Sequence, residues 1–96
     1  MLLSLQNFAA AAREGFDLGV GEASMPLTLV EAKPMAVQPF PGMLREPFAL
    51  VFRAASQVVL PQKLYRVSNP TIGALDIFLV PVGQDGQGTL YQAVFS

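Results

Sequence analysis

The stretch LDIFLVPVGQDGQGTLYQAVF, Leu75 to Phe95, carries the reading on which the rest of the chain depends. Before its glycines, Leu75, Ile77 and Leu79 fall on one side of an extended chain, and Phe78, Val80 and Val82 on the other. After them, Tyr91, Ala93 and Phe95 alternate with Leu90, Gln92 and Val94. Between the two runs lies Gly83-Gln84-Asp85-Gly86-Gln87-Gly88, either a phosphate cradle or the turn of a hairpin.

A phosphate loop follows a strand and opens a helix, whose N-terminal amides meet the anion. A strand pattern does precede these glycines, but TLYQAVFS is aromatic, β-branched and too short for a useful helix. No lysine stands ahead of Thr89, as a P-loop requires. Asp85-Gly86 between alternating hydrophobics is instead a hairpin signal, so residues 74–95 are predicted to pair. Both faces of this hairpin are mainly apolar. A sheet wet on one side shows polar alternation there. These strands therefore belong in a small barrel or two-sheet sandwich, or beneath a helix or partner.

Composition narrows the function. The 96 residues suit one small domain, and only 14% are charged while 52% are hydrophobic. An average soluble domain is roughly 25% charged. The surplus apolar surface suggests cover by a protein partner or a second copy of the chain. Without cysteine there is no disulfide, thiol nucleophile or thiolate metal site. Without histidine the commonest general base and metal ligand are missing, and a Ser-His-Asp triad cannot be assembled. Six basic and seven acidic residues are scattered, whereas nucleic-acid binding calls for a basic stripe. Nucleic acid is not an expected partner.

No apolar run approaches the ~20 residues of a membrane-spanning helix. MLLSLQNFAAAA has no basic start, and Gln6 and Asn7 interrupt it, so it is not read as a secretory leader. It predicts a short helix over about residues 4–14: Ser4 as N-cap, Leu5, Phe8 and Ala12 at helical spacing, Gly15 as the stop. The chain is accordingly expected in the cytoplasm unless another component carries it out.

Beyond Gly15 a two-residue period takes over. FDLGV places Phe16, Leu18 and Val20 on one face, GEAS is a turn, and MPLTLVEAK alternates through Leu27 and Leu29 before turning polar at Glu31 and Lys33. PMAVQPFPGML, residues 34–44, holds three prolines and reads as an irregular connection, apolar enough to fold onto the core or form a contact surface. REPFALVFRA sets Phe48, Leu50 and Phe52 against Ala49, Val51 and Arg53. ASQVVLPQ is a connection, and KLYRVSNP a strand that Asn69-Pro70 ends. The sum is a mainly β chain of about six strands behind a short helix.

REPFALVFR (45–53), LPQKLYRVSNP (60–70) with Gly73, FLVPVG (78–83) and YQAVF (91–95) together resemble a family of small bacterial proteins, domain of unknown function 6916. The N-terminal part is similar more loosely, through Phe8, Gly15, Phe16 and the LTLVEA segment. The resemblance implies a compact β-rich domain without an established activity, from gene neighbourhoods of phage-tail-collar-like fibre proteins, and with them a place within a larger extracellular or tail-like assembly as the alternative to the cytoplasm. One departure is Asn69, where the family often carries histidine before the proline; a histidine-based role is ruled out here.

Glu31, Glu46, Asp76 and Asp85 fall on different elements without a catalytic companion and read as solvated or salt-bridged carboxylates. Asp85 alone does not make a calcium loop. No catalytic, cofactor-binding or metal residue is therefore named, and the chain is expected not to be an enzyme. Candidate partner contacts are Met35, Phe40, Arg45, Glu46, Arg53 and Arg66, arginine being a frequent hot-spot residue. The competing reading, preferred for the arginines because charge is scarce, pairs them across strands with Glu46, Asp76 or Glu31. The expected function is a protein-interaction or assembly module. The alternative is a small barrel around an apolar ligand, which calls for an empty cavity of roughly 300 Å³ or more.

Overall fold

The computed structural model describes residues 5–35 and 47–95. Helix α1 (Leu5–Ala11) runs into a 3-10 turn (Ala12–Glu14). Six strands follow: β1 (Phe16–Val20), β2 (Ala23–Pro34), β3 (Phe48–Ala54), β4 (Lys63–Asn69), β5 (Gly73–Asp85) and β6 (Gly88–Phe95). They close into a barrel in the order β1-β2-β3-β6-β5-β4, every neighbouring pair antiparallel. Of the two architectures that the alternation allowed, the chain adopts the barrel. Closure leaves β1 and β4 to pair with each other instead of ending the sheet as open edges.

Because neighbours run in opposite directions, one mouth collects the starts of β1, β3 and β5 and the ends of β2, β4 and β6. Helix α1 closes that mouth. Its Phe8 is fully buried, with ring centroids 6.5, 6.0 and 5.1 Å from those of Phe16, Phe48 and Phe95, which lie at the start of β1, the start of β3 and the end of β6. Seven residues are too few for a helix to persist on propensity alone, so burial of Phe8 and Ala11 is what holds it. The helix is shorter than the span 4–14 because its last turn tightens to 3-10 before Gly15, whose φ of 72° ends it. Ser4, the expected N-cap, lies outside the described residues.

The inward positions follow the sequence alternation. Phe16 and Leu18, Leu27, Phe48, Leu50 and Phe52, Tyr65 and Val67, Ile77 and Leu79, and Tyr91 and Ala93 pack into one buried cluster. Two bulges interrupt the ladders, at Leu29/Glu31 in β2 and at Pro81/Gly83 in β5. Such bulges bend a strand around a barrel, and one of them gives Pro81 a place where its missing N–H costs least.

Three boundaries differ from the sequence reading. GEAS contributes only Gly21-Glu22 to the first turn, because Ala23 already pairs with Val20. Gly21 has φ 61°, so the glycine supplies the left-handed position at the first corner of this two-residue loop. Pro34 ends β2 opposite Phe48 and does not open the connection. The last hairpin turns on Gly86-Gln87, flanked by the Asp85–Gly88 pair, one residue later than the Asp-Gly dipeptide suggested.

Candidate interaction surface

At the mouth opposite α1, the chain from Ala55 to Gln62 crosses from the end of β3 to the start of β4 and is pinned to the β5–β6 hairpin. Buried Thr89 donates its hydroxyl to Ser56 O at 2.9 Å, and the Gln84 amide donates to Gln57 O at 2.7 Å. The Tyr91 hydroxyl accepts from Leu60 N at 3.0 Å, and the Tyr65 hydroxyl donates to Pro61 O at 2.5 Å. Burial, with a smaller push from Tyr91, raises the Tyr65 pKa above the ordinary tyrosine value. Tyr91→Phe leaves Leu60 N without its acceptor and is expected to cost about 1–2 kcal/mol in a urea melt, with the fold intact.

The same mouth holds Arg53. Its Nε and Nη2 both donate to Asp85 Oδ2, at 3.2 and 2.7 Å. Arg53 therefore does pair across strands, but with Asp85, a partner the sequence reading did not name for it. The other oxygen of Asp85 accepts from Gln87 N at 2.8 Å. The Arg53 hydrogen bonds, helped by the Gln87 N–H, hold the Asp85 carboxyl below its usual value. Its contribution to stability is thus present above the unfolded carboxylate value near 3.9 and is lost as pH falls through the lower folded value. The stability gap between the protein and its Asp85→Asn variant is expected to narrow in thermal melts taken below roughly pH 4.

Arg66 pairs with Asp76 at 2.7 Å, its directly opposite neighbour, as the sequence reading preferred. Glu31 pairs with Lys33 at 3.2 Å on the same strand, and not with an arginine. Met35 is exposed just beyond β2, and its N–H donates to Pro47 O at 2.9 Å. Phe40, Arg45 and Glu46 lie outside the described residues. The three described candidate contacts are therefore not one cluster: Arg53 sits at the mouth, Arg66 on the outer wall and Met35 near the opposite mouth.

What the outer wall does bring together is apolar. Leu64 and Phe78 stand directly opposite each other on β4 and β5 and are 57% and 51% exposed. Val80 pairs with Gln92 on β6, and Val94, two residues on, is 54% exposed. Val82 shares the outer side of β5, and the connection above carries exposed Val58 and Val59. The Arg66–Asp76 pair forms the next rung of the β4–β5 ladder. The sequence had marked this hairpin as apolar on two faces; the interior takes one, and among the described residues nothing covers the other.

Two open concavities are formed by described residues. An open groove of about 310 Å³ runs between Asp17, Ser68, Asn69, Pro70, Gly73 and Ala74. A smaller one of about 190 Å³ separates α1 from β2. No helix among the described residues is long and apolar enough to cross a membrane.

These features define a class: a small, closed, six-stranded antiparallel barrel, plugged by a helix at one mouth and strapped by a connection at the other. The chain belongs to the family described as Domain of unknown function (DUF6916), whose model matches residues 3–95. No curated protein and no solved structure matches it.

Proposed function

We propose that the protein is a non-enzymatic interaction module that assembles with a protein partner through the outer wall of β4, β5 and β6. The supporting observation is the exposed apolar row Leu64, Phe78 and Val94 on a chain with few charges to keep it wet. Isolated exposed hydrophobics need no explanation, whereas a contiguous patch bordered by polar groups is the mark of a contact site. The packing of the inward side chains on one another favours this reading over a barrel that holds an apolar ligand. The family resemblance adds a finer reading, a module working beside larger fibre or tail-collar-like structural proteins.

Coexpression with the products of adjacent genes, followed by copurification and light scattering, tests this function. A stable complex that Leu64→Asp abolishes is the expected result. A strictly monomeric chain that retains no partner contradicts it.

A further inference from the structure

We infer that the first partner of the β4–β5 wall is a second copy of this chain, related by a two-fold axis running parallel to the strands between β4 and β5. The inference rests on the interaction reading above and names its occupant. Two rungs of the ladder carry the argument. In one, a small apolar side chain on β4 faces a large one on β5, Leu64 opposite Phe78. In the next, a cation on β4 faces an anion on β5, Arg66 opposite Asp76 at 2.7 Å.

An isologous contact brings each group against whatever the symmetry axis assigns to it. An axis across the strands sets Arg66 on Arg66 if it passes through that rung and Phe78 on Phe78 if it passes through the other, and between the two it lays the charged rung on the apolar one. The axis along the strands exchanges the two sides of the ladder, so Arg66 of one copy meets Asp76 of the other, and Leu64 meets Phe78. Both pairs are exposed enough to swap partners, with Arg66 and Asp76 side chains 64% and 49% accessible.

β4 begins at Lys63, opposite Leu79, so the part of β5 that carries Val80 and Val82 has no β4 residue beside it, and exposed Val82 extends the apolar wall beyond the ladder. The wall's charges sum to zero across the Arg66–Asp76 rung, so a second copy meets no repulsion there. A wall this narrow gives an interface at the small end of the range, below roughly 1,200 Å² in total, where pairs are weak and exchange readily.

Sedimentation or light scattering over a concentration series, from micromolar to millimolar, tests the pairing. The expected mass rises from the 10.3 kDa chain toward twice that value. Phe78→Glu is expected to weaken the pairing at least about tenfold. Arg66→Asp and Asp76→Arg, each repulsive with itself, are expected to be monomeric alone and to form a mixed pair when combined, with affinity near that of the native protein. This mixing guards against misfolding of Phe78→Glu, because a restored pair requires both variants to be folded. A chain monomeric at every concentration overturns the inference, as does a dimer indifferent to Phe78→Glu and to both charge reversals. A monomer that still binds another protein through Leu64 overturns the self-pairing alone and leaves the interaction function standing. A monomer that binds nothing removes both.

Discussion

Gly88→Ala is expected to destabilise the protein more than any other single-methyl change in the last hairpin, while Gly86→Ala leaves it nearly unaffected. Gly88 has φ 145°, in a region that L side chains rarely enter. A Cβ there would stand 1.9 Å from Ala54 O and 2.8 Å from Ala54 C, the backbone of β3 where it leaves the barrel. Backbone strain of this kind costs about 1–3 kcal/mol, and forcing a group into packed backbone a further 1–3. Marginal stability is about 5–15 kcal/mol, so a loss of that size removes a large share and can leave the chain unfolded at moderate temperature. Gly86 has no positive φ and nothing within 4 Å of its added carbon, so its alanine variant is expected to change stability by less than about 1 kcal/mol. Urea melts of the two variants side by side check the contrast. Equal losses would place the constraint in the turn itself and not in the close approach of the end of β3 to Gly88.

The second large effect belongs to Asn69, the residue that ties the helix to the barrel. Its side chain is buried, and its amide donates to Ala11 O at 3.2 Å and Gly15 O at 2.7 Å, the carbonyls at the end of α1 and before β1. Its oxygen accepts from Thr71 N at 2.8 Å and Ile72 N at 3.0 Å, shaping the turn into β5, where Gly73 takes φ 87°. Thr71 in turn bonds Glu14 through their side chains, so the turn holds the 3-10 segment itself as well as the residues on either side of it. Asn69→Ala abandons four partners and is expected to cost about 2–4 kcal/mol, because partly buried groups lose their bonds without regaining water.

Asn69→Asp separates the two halves of the role. The carboxylate can still accept from Thr71 and Ile72, but at neutral pH it faces two carbonyl oxygens with no proton to offer. Its folded pKa is therefore raised above the unfolded value, and the sign follows: the penalty is full at high pH and shrinks as pH falls through the folded value. Thermal melts are expected to show Asn69→Asp approaching the native protein between roughly pH 6 and 4. A pH-independent loss would mean that the donor half of Asn69 contributes little.

Period-two alternation sufficed for the strands because each position's neighbour on the same face is fixed by the pleat. It separated Phe48, Leu50 and Phe52 from Ala49, Val51 and Arg53, and Tyr65 and Val67 from Arg66, as the barrel does. Closure into a barrel was not legible, since β1 meets β4 through only Asp17–Ser68 and Leu18–Val67, residues some fifty positions apart with no local signature. For the same reason Asn69 read only as a turn residue: its bonds to Ala11 and Gly15 depend on where the helix docks. The Asp-Gly signal found the hairpin but drew attention to Gly86, while the needed glycine, Gly88, is set by the close approach of the end of β3, which is remote in sequence. Arg53 found Asp85 because the β5–β6 hairpin overhangs the mouth, a consequence of stagger that no spacing along the chain reveals. The apolar second face was visible in Phe78, Val80, Val82 and Val94; its continuation onto Leu64 needed the β4–β5 register.

The most direct test of that face is copurification from the native host with Leu64→Asp/Phe78→Asp beside the unaltered chain, both checked for folding by circular dichroism. The account predicts that the double variant keeps its fold, since both side chains point away from the core, and loses every specific partner, its own copy included. A folded double variant that retains those partners would contradict it and place the contact elsewhere on the barrel.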